Sequence, residues 1–187
     1  FDDGPSENTR TILATLKEYG AHATFFEMGK NAQAHPDIIR QIHEEGHTVA
    51  NHSYSHDYDY LYASTDNFYS DIQTTEDVIA YIIGAENVVP LFRFPGGSFG
   101  SKKEPFREYL QGTKYKFVDW TSLNNDADGK QLSAQRALES LRNTINGRED
   151  TVILMHDAAA KKITMETLPQ ALEYLQSEGF SIEAIRN

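Results

Sequence analysis

Two histidines stand four residues apart in His52-Ser53-Tyr54-Ser55-His56. At that spacing they can face one side of a helical turn, so both imidazoles can reach one ion. Imidazole suits zinc and related first-row divalent metals. A pair of polar loop histidines among tyrosines is an equally weighted reading. The chain opens Phe1-Asp2-Asp3-Gly4-Pro5. Asp-Gly and Gly-Pro are turn punctuation, and taken alone this segment reads as a turn. At a strand end the two carboxylates could instead divide labour, one binding metal and the other staying free as a base. Arg93-Phe94-Pro95-Gly96-Gly97 offers a planar guanidinium that could orient a carboxylate. Its Gly-Gly pair lets backbone N–H groups approach a ligand closely. A strand-to-helix loop with a solvent-exposed Arg93 is the favoured reading of that segment in isolation. Asp126 could cap a helix or partner a histidine. Trp120, the single tryptophan, suits a core position and a sugar platform equally. His156, in Leu154-Met155-His156-Asp157, ends an apolar run. It reads as a satisfied core histidine, the commoner case, or as a general acid titrating near neutrality.

The composition narrows the chemistry. No cysteine is present, so any metal must be held by His, Asp, Glu or water. The net charge of −11 argues against nucleic acid, since no basic surface is available for phosphates. A neutral glycan brings no charge to match and stays open. With 39% hydrophobic residues in a chain of 187, one domain with a full core is expected. The longest apolar run, Val152 to Met155, is far short of a membrane span, and no signal peptide is visible. His22, His35, His43 and His47 lie within or beside helical or strand patterns and read as structural. Tyr54, Tyr58, Tyr60 and Tyr62 flank the His pair and suit sugar stacking or loop packing equally.

The elements that must position these groups alternate. Periodicity and stop signals predict helices over Ser6–Tyr19, Pro36–Glu45, Thr65–Ile83, Pro105–Leu110, Ser133–Ile145 and Thr167–Gln176. Strands are predicted over Ala23–Met28, Thr48–Ala50, Val88–Phe94, Tyr115–Val118, Thr151–Met155 and Phe180–Ile185. This alternation implies βαβ units and a parallel sheet, open or closed into a barrel. Every suspicious group sits in or just after a predicted strand end. In a parallel barrel those ends converge on one face, where active sites are built.

Each motif is ambiguous alone; the ordered set is specific. Phe1-Asp2-Asp3-Gly4-Pro5, His52-Ser53-x-x-His56, Arg93-x-Pro95-Gly96-Gly97, Trp120 with Asp126, and Leu154-x-His156 resemble, in order, the five motifs of the carbohydrate esterase family 4 polysaccharide deacetylases. The resemblance runs from residue 1 to about residue 157. It implies an α/β fold, a distorted (β/α) barrel with parallel strands, and a catalytic domain over residues 1–187. It also implies one divalent metal, zinc in first place with cobalt or nickel as alternatives, on Asp3, His52 and His56. By the same resemblance Asp2 is the general base, Arg93 orients Asp2, His156 is the general acid and Asp126 holds His156. The Gly96 N–H would stabilise the oxyanion, Leu154 would line the acetyl pocket, and Trp120 belongs to the substrate site. The implied activity is hydrolysis of N-acetyl groups from a glycan containing N-acetylglucosamine, foremost peptidoglycan, at the bacterial cell surface. Chitooligosaccharide deacetylase, acetyl-xylan esterase and a silent glycan-binding domain are the alternatives.

The chain departs from the family pattern in places. The third motif commonly has a second proline and an aromatic, where this chain has Gly96 and Gly97. The fourth often has an aromatic after its Asp, where this chain has Ala127. In the family an apolar strand runs directly into Phe-Asp-Asp. The expectation is therefore that a first strand is missing before Phe1, with upstream domains or a membrane anchor beyond it.

Overall fold

The computed structural model describes residues 1–127 and 132–186. Two short strands, β1 (Thr24–Glu27) and β2 (Thr48–Asn51), pair in parallel and are buried along their whole length. Burial on both faces is what a parallel sheet covered by helices requires, and Thr-Phe-Phe and Thr-Val-Ala supply the β-forming residues. β3 (Leu91–Phe92) and β4 (Lys116–Phe117) continue the sheet in the order β1-β2-β3-β4. A second parallel pair joins β5 (Ser122–Leu123) to β6 (Ile153–Leu154). Asp2 links the two sheets. It bridges Phe26 of β1 on one side and His156, just past β6, on the other, both in parallel sense. The lateral order is therefore β5, β6, Phe1-Asp2, β1, β2, β3, β4, a curved parallel sheet consistent with a distorted barrel.

Helices α1 (Glu7–Glu18), α2 (Gly29–Ala34), α3 (Pro36–Glu44), α4 (Tyr58–Leu61), α5 (Thr65–Ile83), α6 (Glu104–Gln111), α7 (Ala134–Ile145) and α8 (Lys162–Ser177) connect these strands. Ile12, Leu13 and Leu16 of α1 pack with Ile38, Ile39 and Ile42 of α3, Phe25 and Val49 of the sheet, and Leu168 and Leu172 of α8. Each such side chain contributes about 1.5–3 kcal/mol when removed from water. A second, aromatic cluster of Phe68, Phe92, Phe94, Phe106 and Tyr115 lies under β3 and β4. Phe68 and Phe94 stack at 5.3 Å, which props the loop after β3 from below.

Three expectations are corrected. Residues Phe180–Ile185 do not form a strand. The segment makes isolated bonds beside β1: the His22 N–H donates to the Ile182 carbonyl at 3.0 Å, and the Ile185 N–H donates to Thr24 Oγ1 at 2.8 Å. β1 already has β2 on one edge and Phe1-Asp2 on the other, so no free edge remains for a ladder. β5 falls between Trp120 and Asp126, where no strand is predicted. Two residues carry no periodicity, and Asn124-Asn125-Asp126 masks the strand as a turn. α8 begins at Lys162, not Thr167, and runs through Pro169. Helices α2 and α4, six and four residues long, lie below the length at which periodicity can be read.

A cavity of about 440 Å³ lies against Phe1, lined by Ala23, Thr24, Ile153, Met155 and Leu172 among others. It stands between the start of β1 and the start of β6. It also reaches Phe26 and Arg93.

Candidate active site

Asp2 and Asp3 follow the Phe1-Asp2 strand stub, His52 follows β2, Arg93 follows β3, Asp126 follows β5 and His156 follows β6. The parallel sheet puts all of these ends on one face. Asp3 Oδ1 lies 3.4 Å from His52 Nε2 and 3.3 Å from His56 Nε2. Two atoms each about 2.0–2.1 Å from a tetrahedral ion stand about 3.3–3.4 Å apart, so these spacings suit a shared cation. Asp3 Oδ1 is buried and has no hydrogen-bond partner, which an ion would supply. One ligand atom from each of Asp3, His52 and His56 falls within a single 4.8 Å cluster.

The tautomer of His52 is set by its other nitrogen. Nδ1 is 2.8 Å from the Arg93 carbonyl, which only accepts, so Nδ1 carries the proton and Nε2 keeps its lone pair. Burial and the adjacent His52 ring push the His56 pKa below its ordinary value, which also leaves a lone pair for coordination. Burial opposes ionisation of Asp3, but the neighbouring His52 and His56 outweigh it and hold its pKa at about 2.

The loop carrying the His pair is not a helical turn. Ser53 and His56 have φ of 70° and 53°, and the rings converge through this irregular path. Asp71, buried on α5, holds it: its carboxylate accepts from the Tyr54 N–H at 2.5 Å and from the Ser55 N–H at 3.2 Å. Ser53 Oγ accepts from the His56 N–H at 2.9 Å. Among the described residues, the positive-φ residues other than glycine are Asp3, Ser53, His56 and Asn125. Each costs on the order of 1–3 kcal/mol, and they gather at this site.

Asp2 occupies a different position from its neighbour. It is 2% exposed, and its Oδ1 accepts from Arg93 Nη1 at 2.8 Å. Its Oδ2 stands 3.8 Å from His52 Nε2, farther than Asp3. Burial works against the Asp2 charge, yet Arg93 and His52 overcome it and lower the pKa. Arg93 is not solvent-exposed, contrary to the reading of its loop in isolation. It is 1% exposed, donates to the Val118 carbonyl from Nε at 3.0 Å, and lies over the Phe26 ring at 4.0 Å.

On the other flank, Asp126 Oδ1 is 2.6 Å from His156 Nδ1, and Asp126 Oδ2 accepts from the His156 N–H at 2.7 Å. Thr164 donates to the same Oδ2 at 2.7 Å. Burial lowers the His156 pKa, but the Asp126 hydrogen bond and charge more than offset it, and the net shift is upward. Nδ1–H is committed to Asp126, which leaves Nε2 as the atom that can exchange a proton with a ligand.

The remaining expected residues lie around this centre. Gly96 has φ of 71° and Gly97 of 76°, a left-handed region open to glycine at little cost. A Cβ at Gly96 would fall 2.8 Å from the Tyr58 hydroxyl, so Tyr58 fills the space a side chain there would take. Tyr58 in turn lies edge-on to His56 at 5.4 Å. Trp120 meets the exposed Phe99 edge-on at 5.5 Å, beside Gly97. Leu154 is buried at the end of β6. His47 is buried and its Nδ1 accepts from the Ala23 N–H at 3.1 Å, a structural role. Burial, with the charge of His22, takes its pKa to about 4.

Several participants carry no sequence signal of their own. Asp157 is buried and accepts from Thr9 Oγ1 at 2.7 Å, while its backbone carbonyl accepts from Ser6 Oγ at 2.5 Å. It thus ties the strand end bearing His156 to the Asp2–Ser6 loop. Burial raises its pKa to about 7. Glu27, also buried, is raised well above its ordinary range, again chiefly by burial. Asp119 accepts from the Ser98 N–H at 2.9 Å and steadies the segment after Gly97.

Comparison with known proteins agrees with this geometry. A family model described as "Polysaccharide deacetylase" matches residues 1–118. A peptidoglycan-N-acetylglucosamine deacetylase of Bacillus cereus is 34% identical over 98% of this chain and 67% of its own length. The chain spans about two thirds of that relative. Among solved structures, the catalytic domain of a peptidoglycan N-acetylglucosamine deacetylase from Eubacterium rectale has a TM-score of 0.91 at 26% identity, covering 100% of this chain and 86% of that one. A polysaccharide deacetylase from Bacillus cereus has a TM-score of 0.85 at 30% identity, covering 100% and 90%. A sheet whose strand ends gather Asp2, Asp3, His52, His56, Arg93 and His156, matched by that family model over more than half its length, belongs to the metal-dependent polysaccharide deacetylase family.

Proposed function

We propose that this chain hydrolyses N-acetyl groups from the N-acetylglucosamine residues of peptidoglycan, using one zinc ion on Asp3, His52 and His56. The observation that carries the reading is the placement of a three-ligand cluster between an ionised, Arg-held carboxylate and an Asp-held imidazole. Three protein ligands would leave open positions, and a divalent cation there would polarise the amide carbonyl and acidify water. Asp2 takes the proton of the attacking water, with Arg93 holding its carboxylate in place. His156 donates a proton to the departing nitrogen, which an amide requires because a free amide anion is a very poor leaving group. Gly96 offers an N–H for the developing oxyanion, a contribution on the order of 3–4 kcal/mol in comparable sites. Leu154 faces the acetyl methyl and Trp120 the sugar. The names of the relatives support the peptidoglycan assignment. On that reading we propose action at the bacterial cell surface, with residues 1–187 as the catalytic domain. Among the described residues no helix is long and apolar enough to cross a membrane.

The test is acetate release from peptidoglycan, chitooligosaccharides and acetylated xylan, with and without a chelator. Release should be fastest on peptidoglycan, stop on chelation and return with zinc. Faster release from chitooligomers or xylan would reassign the substrate. Glycan binding without any release would make this a silent binding domain.

His156 supplies a second expected outcome. Its activity as an acid needs the protonated ring, and the Asp126 contact raises its pKa. Asp126→Asn weakens that contact, so the ring loses its proton at lower pH and the basic limb of the pH–rate profile should move to lower pH. An unmoved limb in a folded variant would separate Asp126 from the acid.

A further inference from the structure

Phe94 to Gly97 form a tight turn closed by the Gly97 N–H donating to the Phe94 carbonyl at 2.8 Å. Proline at the second position and a glycine with φ of 71° at the third describe a type II turn. The central peptide of such a turn joins the Pro95 carbonyl to the Gly96 N–H. A type II turn differs from type I by rotation of that one peptide, so glycine leaves the group free to flip. Because the peptide is planar and trans, its C=O and N–H point in opposite directions. Whatever grips the Pro95 oxygen therefore sets where the Gly96 N–H points.

Two side chains grip that oxygen. Lys103 Nζ donates to the Pro95 carbonyl at 2.5 Å and to the Gly97 carbonyl at 2.6 Å. Tyr62 donates to the Pro95 carbonyl at 2.8 Å and accepts from Lys103 Nζ at 3.1 Å. Lys103 is half-buried, and its ammonium lies 4.3 Å from the Tyr62 ring centre. Its three N–H donors match three acceptors, so none is left for a substrate. The Gly96 N–H, by contrast, has no acceptor among the described residues.

We infer that Lys103 is a positioning residue for the deacetylation reaction: with Tyr62 it locks the Pro95–Gly96 peptide so that the Gly96 N–H stays aimed at the reacting carbonyl. The inference rests on the deacetylase reading above.

The experiment compares the wild type, Lys103→Met, Lys103→Arg and Tyr62→Phe as zinc-loaded proteins. Acetate release and backbone amide exchange over residues 94–98 are both followed. Removing an oxyanion donor outright costs roughly 10²–10³ in kcat, and a donor left free to flip should cost less. Lys103→Met is expected to lower kcat by roughly 10–100-fold with KM within about twofold, unchanged zinc content and faster exchange at Gly97, whose N–H closes the turn. Lys103→Arg should recover part of kcat, and Tyr62→Phe should lower kcat by a smaller factor, also without a KM change. A folded Lys103→Met with wild-type kcat, or a loss confined to KM, overturns the inference. If Lys103→Met does not fold, Tyr62→Phe decides: wild-type kcat and exchange overturn the lock. A wild type that releases no acetate defeats the deacetylase reading instead, and the exchange measurement still reports whether Lys103 restrains the turn.

Discussion

Asp2→Asn is expected to keep its metal and lose turnover by roughly 10²–10⁴-fold, the loss typical of a general base. The substitution preserves the shape and one hydrogen-bonding oxygen for Arg93 but cannot take up a proton. Asp3→Ala should behave differently. Its Oδ1 is the atom placed 3.3–3.4 Å from both imidazole nitrogens, so its removal should lower metal affinity itself. Excess metal should then restore part of the activity of Asp3→Ala and none of that of Asp2→Asn. Metal titration of both variants, read by bound metal and by acetate release, makes the comparison. Rescue of Asp2→Asn by metal, with none for Asp3→Ala, would exchange the two roles.

The second large effect is on stability. Arg93→Met should destabilise the fold by about 3–5 kcal/mol, because it leaves the Asp2 carboxylate buried without its cation. For a domain of this size that corresponds to a Tm lower by roughly 6–20 °C. The same change strips donors from the Val118 and Asp119 carbonyls and the cation from the Phe26 face. Arg93→Lys keeps the charge but not the planar fork, and should recover only part of the loss. The double variant Arg93→Met with Asp2→Asn should be more stable than Arg93→Met alone, since no charge is then orphaned. Thermal unfolding at saturating metal measures all three. An Arg93→Met protein as stable as the wild type would mean that the pair carries no net stability.

The hydrophobic period of Ile12, Leu13 and Leu16, or of Ile38, Ile39 and Ile42, is a local property, and a reader of the chain alone can place α1 and α3 from it. The same holds for the apolar runs at β1 and β6 and for the parallel alternation that sends strand ends to one face. The residue types of the candidate site were legible too, because the segments bearing Asp2, Asp3, His52, His56, Arg93, Asp126 and His156 resemble, in order, the motifs of the polysaccharide deacetylases. What those motifs leave open is which atom meets which. His52 and His56 converge through a left-handed path at Ser53 and His56 rather than along a helix, since Asp71, 15 residues or more away in sequence, holds the loop. Arg93 reads as exposed in its loop and proves buried only because β4 and Phe26 close around it. Asp2 and Asp3 are identical in type and adjacent in sequence. Their difference arises only when β1, β6 and the loop after β2 pack around them and give one an arginine and the other two imidazoles. Lys103, Tyr62, Asp157 and Thr164 carry no motif at all. Their bonds to Gly97, Pro95, Thr9 and Asp126 join residues 6 to 148 positions apart, and such pairings are set by how helices and strands pack, not by any local pattern in the chain.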